Sequence, residues 1–75
     1  MSSKIMIYGK STWPFTNAAR EAYAKKNVDA EYFDVMASEE DMKAMLKYSD
    51  GSRKVPVIVE GDKITIGFNG KSWRV

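Results

Sequence analysis

GKSTWPFTNAAREAY, residues 9–23, is the stretch whose reading decides the fold. A short apolar run, Lys4-Ile5-Met6-Ile7-Tyr8, leads into it and reads as a strand over residues 4–8. Gly9, Lys10 and Ser11-Thr12 turn the chain, and Trp13-Pro14-Phe15-Thr16 opens a helix. Thr12 has the side chain of an N-cap, and Pro14 suits the first helical turn, where a missing N–H costs nothing. Phe15, Ala18, Ala19, Ala22 and Tyr23 recur with helical spacing and carry the helix to about Lys26. Lys25 and Lys26 complement the negative end of its dipole, and Asn27 closes it. A strand running through such a turn into a helix aims free backbone N–H groups at the side chain of the junction. That is a seat for an ionised nucleophile. The residue in the seat is Trp13, whose indole does not ionise.

Working outward, Ala30-Glu31-Tyr32-Phe33-Asp34-Val35 alternates apolar and acidic residues and reads as a second strand, with Phe33 and Val35 on one face. Ser38-Glu39-Glu40-Asp41 resembles a capping box and puts carboxylates in a first turn. Met42, Met45 and Leu46 form the apolar stripe of the helix that follows, and Ser49-Asp50-Gly51-Ser52 ends it. Val55 to Glu60 is a third strand with Pro56 near its start, Gly61-Asp62 a hairpin turn, and Lys63 to Ile66 the returning strand. Gly67 to Val75 is a tail too short for much more than one helical turn. The order β-α-β-α-β-β implies an α/β fold with a right-handed parallel first unit and an antiparallel final pair. A four-stranded mixed sheet of the thioredoxin type follows, with residues 1–75 as one domain.

Composition narrows the function. With no Cys and no His, neither a disulfide nor a conventional zinc or iron–sulfur site is expected, so metal and bound cofactor are both read as none. The net charge of +2 carries no Lys/Arg block, which argues against nucleic acid. No run approaches the ~18 apolar residues of a membrane span, and Met1-Ser2-Ser3-Lys4 does not begin a signal peptide, so a cytoplasmic protein is expected.

IYGKSTWPFTNAAREAY resembles the active-site segment of glutaredoxins: strand, Gly-Lys-Ser/Thr-Thr, Cys-Pro-Tyr/Phe-Cys, helix. The resemblance aligns Trp13 with the nucleophilic Cys, Pro14 and Phe15 with the middle pair, and Thr16 with the resolving Cys. RKVPVIVEGDKITIG resembles the family's Thr-Val-Pro strand, hairpin and Gly-containing turn. There Val55-Pro56 match the pair whose proline is cis. The resemblance covers almost the whole chain, with a short tail in place of the family's last helix. It implies a thiol–disulfide oxidoreductase of the redox-homeostasis and electron-transport class. Lys10 would add positive charge beside the nucleophile. Lys10, Phe15, Arg53, Val55, Pro56, Gly67 and Phe68 would contact the ligand, Val55 through its backbone as a strand pairs.

TWPFTNAAREAY also resembles the UXX-star group of small bacterial selenoproteins if Trp13 is read as selenocysteine. The codons UGA and UGG differ by one base. On that resemblance this chain carries an inert residue in place of the nucleophile and is redox-inactive. Trp73, the other of the two tryptophans, would be a second redox position in GKSWRV and would reach position 13 from the tail. Its alternative is an aromatic packed on the sheet edge. Gly67-Phe68 replaces the family's Gly-Gly, and Gly70 and Lys71 replace its acidic residues. The reductant is therefore left open between glutathione, as co-substrate, and a donor resembling thioredoxin reductase. A disulfide-containing protein is the expected substrate and a monomer the expected state. The alternatives are a non-catalytic glutathione- or peptide-binding module, if Trp13 is a genuine residue, and a partner-binding domain with Trp13, Phe68 and Trp73 as an apolar patch.

Overall fold

A computed structural model describes residues 5–75; Met1 to Lys4, and with them the first residue of the expected first strand, lie outside the described residues. The chain forms β1 (Ile5–Gly9), α1 (Pro14–Lys25), β2 (Ala30–Asp34), α2 (Glu39–Tyr48), β3 (Lys54–Val55), β4 (Val57–Glu60), β5 (Lys63–Ile66) and β6 (Trp73–Arg74). The main sheet has the order β2-β1-β4-β5. β1 pairs parallel with β2 and antiparallel with β4, and β4 pairs antiparallel with β5. This is the expected four-stranded mixed sheet.

Period-2 alternation sends the residues of β1 and β4 to opposite faces. Ile5, Ile7 and Ile58 pack with Ala19 of α1. Tyr8, Val57 and Val59 pack with Val35, Val55 and Met45 of α2. Each large side chain removed from water contributes about 1.5–3 kcal/mol, so these two clusters fix which helix lies on which face. Phe33 stacks on Tyr8 with ring centroids 4.9 Å apart, as its place on the face shared with Val35 requires.

Two features differ from the sequence expectation. The third strand is broken: the chain divides into β3 and β4 on either side of Pro56, at the Val55–Pro56 bond, which is cis as the family resemblance implies. The tail, expected to hold little more than one helical turn, instead forms β6, which pairs antiparallel with β3 as a separate two-stranded sheet.

Candidate functional site

The site is built where β1 hands over to α1. Trp13 is the N-cap of α1, with φ −89° and ψ 117°. Such an extended backbone is what a residue before proline adopts. The cap therefore falls one residue later than Thr12, because Pro14 takes the first helical position and the residue before it becomes the cap. Thr12 instead lines the cavity beside Trp13. No side chain caps α1, and its first turn holds no acidic residue. An N-cap side chain is placed to accept from the N–H groups two or three residues on. An indole, which only donates, leaves that role unfilled.

The connecting loop is fastened from both sides. The Trp13 N–H donates to the Lys10 carbonyl at 3.0 Å, and Asn17 Nδ2 donates to the Ser11 carbonyl at 2.8 Å. Among the described residues, two buried polar atoms at this junction have no partner, Trp13 Nε1 and Thr16 Oγ1. Thr16 is 0% exposed, so its hydroxyl makes none of the local hydrogen bonds that are its ordinary role at a helix start. It sits against Gly9, where an added Cβ would lie 2.5 Å from Thr16 Cγ2. Only glycine at the end of β1 leaves room for this packing. A buried unsatisfied group costs about 1–3 kcal/mol, and two of them lie at this one junction.

The other wall comes from the far end of the chain. Val55 lies opposite Trp73 and Lys54 opposite Arg74 in the β3–β6 ladder. The Val75 N–H donates to the Arg53 carbonyl at 2.9 Å, and Arg53 Nε donates to the Val75 main-chain oxygen at 2.6 Å. The ring of Trp73 lies against Trp13, with centroids 5.3 Å apart and planes at 37°. The ring of Phe15 also lies against Trp13, with centroids 5.3 Å apart. Lys10, Thr12, Trp13, Pro14 and Trp73 enclose a cavity of about 310 Å3.

Lys10, Trp13, Phe15, Thr16 and Trp73 thus come together, and the β3 ladder joins Val55 and Arg53 to them through the tail. Pro56 is fully buried behind Val55, and its carbonyl accepts from the Gly67 N–H at 2.7 Å. Gly67 has φ +95°, and a Cβ there would meet the Lys71 carbonyl oxygen at 3.0 Å, so the turn that closes on Pro56 is built for glycine. Phe68 is not part of this grouping: its ring packs against the cluster of Ile5, Ile7, Ala19 and Ile58 under α1. Its backbone exchanges two hydrogen bonds of 2.9 Å with Lys71. A cavity of about 710 Å3 lies elsewhere, between α1 and β2, and is lined by none of the candidate residues. Arg20 and Tyr32 line it, the guanidinium 4.1 Å above the ring centroid. Sequence reasoning missed Gly9, whose role depends on a contact with Thr16, and Val75, whose role depends on the tail's fold.

A strand-to-helix junction, a cis-proline loop beside it and a mixed sheet in the order above define a thioredoxin-fold redox protein. The chain belongs to the glutaredoxin family: the family model described as Glutaredoxin matches residues 5–64. Among solved structures it is similar to the glutaredoxin of Archaeoglobus fulgidus, with 34% identity and a TM-score of 0.75, covering 89% of this chain and 77% of that one. No curated protein sequence matches it. Among the described residues no helix is long and apolar enough to cross a membrane.

Proposed function

We propose that this is a glutaredoxin-type thiol(selenol)–disulfide oxidoreductase whose nucleophile belongs at position 13, where Trp stands in place of a selenocysteine. The chain as written is then redox-inactive. The observation that carries this reading is the uncapped N-terminus of α1, whose cap position holds a buried indole N–H with no partner. A chalcogenolate there accepts from the first-turn N–H groups and sits at the positive end of the dipole, as Trp13 does not.

In the proposed cycle the chalcogenolate attacks a substrate disulfide. A bond forms to position 13, and the substrate sulfur leaves as thiolate. A reductant thiol then attacks the adduct, takes the departing sulfur into a new disulfide and returns the chalcogenolate. Thr16 in the resolving position suits this single-nucleophile cycle. Trp73, 5.3 Å from Trp13 between ring centroids, is the candidate second redox position. Glutathione and a donor resembling thioredoxin reductase remain the two candidate reductants. Phe68 in place of a second glycine favours the latter. A reducing cytoplasm is the setting this chemistry needs.

The test is the full chain with Trp13→Cys, assayed on a glutathione mixed disulfide with glutathione and, separately, with thioredoxin reductase. Turnover with either reductant is expected. A folded variant inert with both contradicts the proposal. A second reading, a glutathione- or peptide-binding module without chemistry, is favoured by one observation: Phe15 and Trp73 both pack on Trp13, as neighbours of a native aromatic would. A glutathione titration of the unaltered chain that shifts the amides of Lys10, Phe15, Val55 and Gly67 supports it. A silent spectrum at millimolar glutathione removes its ligand.

A further inference from the structure

The free edge of β3 is where an extended ligand docks in the reading above, and here that edge is already paired. β6 runs along it, and the ladder extends through the Val75–Arg53 hydrogen bond. The hold is slight. Trp73 lies on Trp13 yet remains 49% exposed, and of residues 72–75 Val75 alone packs against a buried cluster. The ladder also carries a mismatch. Lys54 lies directly opposite Arg74, two like charges face to face, which destabilises a strand pair. The Arg53–Val75 hydrogen bond makes that neighbouring pair the hydrogen-bonded one, so Lys54 and Arg74 form the closer, non-hydrogen-bonded pair.

The surroundings repeat the same charge. The cavity on one side of the tail includes Lys10. A second cavity of about 250 Å3 is lined by Gly51, Ser52, Arg53, Lys54 and Arg74. Neither wall contains Asp or Glu. We infer that residues 72–75 are an internal occupant of the ligand groove, displaced by an extended peptide that carries the substrate disulfide opposite Val55 and an acidic residue opposite Lys54. This rests on position 13 being the nucleophile seat. The incoming peptide replaces a repulsive cross-strand pair with an attractive one, and tail and substrate exclude each other.

The full chain with Trp13→Cys tests it, because Trp73 is then the single tryptophan and reports on the tail. The probe is a blocked pentapeptide, Gly-Ser-Cys-Glu-Val, whose cysteine is capped as a 2-pyridyl disulfide; a control has Lys in place of Glu. The introduced thiolate attacks the peptide sulfur, a new protein–peptide disulfide forms, and pyridine-2-thiolate leaves. Adduct formation is followed by mass and by thiolate release. Trp73 emission is expected to move to the red as the adduct forms, and the Hα–Hα contact of Lys54 with Arg74 to disappear. The Glu peptide is expected to react about fivefold faster than the Lys peptide, the scale of one cross-strand charge pair. Adding Arg74→Glu, which tightens the tail on Lys54, is expected to slow the Glu peptide by a similar factor. Adduct formation with Trp73 emission unchanged and equal rates for the two peptides overturns the inference alone. Failure to react even with dipyridyl disulfide removes the reading of position 13, and the inference with it.

Discussion

The two helices of this small protein begin in opposite ways. α2 starts at Ser38, whose hydroxyl accepts from the Asp41 N–H at 3.4 Å, and Glu39, Glu40 and Asp41 fill its first turn. Its dipole and its orphan donors are answered from within the chain. α1 starts at Trp13 with no side-chain cap, no acid in the first turn and two buried polar atoms without partners. The same sequence supplies a hydroxyl cap and first-turn carboxylates at one N-terminus and neither at the other, where Pro14 alone favours the helix start. The difference is that α1's positive end is left without a side-chain anion or cap, which is what the proposed function requires of it. An N-terminus already neutralised by carboxylates would not stabilise a chalcogenolate.

Several substitutions break or sharpen this contrast. The largest effect is expected from Trp13→Cys, which places an ionisable thiol at the α1 N-cap. Disulfide exchange should rise from undetectable to a rate set by a thiolate largely ionised at neutral pH. In that background Lys10→Glu places an acid near the seat and makes α1 more like α2; the thiol pKa should rise and exchange at neutral pH should slow severalfold, read by the pH dependence of thiolate absorbance. An unmoved profile would mean that Lys10 lies too far from position 13 to matter. Next in size, Ser38→Ala should cost about 1 kcal/mol, or ~4–8 °C in Tm, by calorimetry. Thr12→Ala, at the residue whose chemistry suggests a cap and whose position denies it one, should change stability by less than about 0.5 kcal/mol. Equal losses at the two sites would erase the contrast.

A further prediction concerns the far end of α1 and only the alkaline range. Tyr23 donates to Glu60 Oε1 at 2.8 Å, and burial first, then that carboxylate, push its pKa from 10.0 up to about 12. Above pH 10 the unfolded chain gives up this proton while the native one keeps it. Stability should therefore fall as pH rises from about 10 to about 12. Tyr23→Phe should flatten that part of the curve, measured by denaturant midpoints across the alkaline range. An identical slope in the variant would show that the fall has another origin.

What could be read in the sequence follows how local each cause is. The α2 cap is written in four consecutive residues, and the Gly61-Asp62 hairpin in two, so both appear where expected. The α1 start was displaced by one residue because Thr12 competes, by residue type, with a rule set by Pro14. Pro14 makes the preceding residue the cap whatever its side chain. Thr16 reads as a polar helix-start residue, yet it is fully buried, because Gly9 in β1 opens the space it fills. That contact joins two elements and leaves no local pattern. The cis bond at Val55–Pro56 was expected from family resemblance, and from nothing in the spacing of the residues themselves. β6 was illegible for a plainer reason: two residues carry no periodicity, and they are a strand only because the β3 edge lies beside them. The glutaredoxin core was therefore open to a reader of the sequence, while the pairing of the tail with β3 was not.

The most direct measurement is the thiol pKa of the Trp13→Cys chain, followed by thiolate absorbance against pH. The bare α1 N-terminus predicts a value well below the ~8.5 of a free cysteine, within the range reached by thiols at helix N-termini. A value at or above that of a free cysteine would contradict the claim that this junction is built to hold an anion.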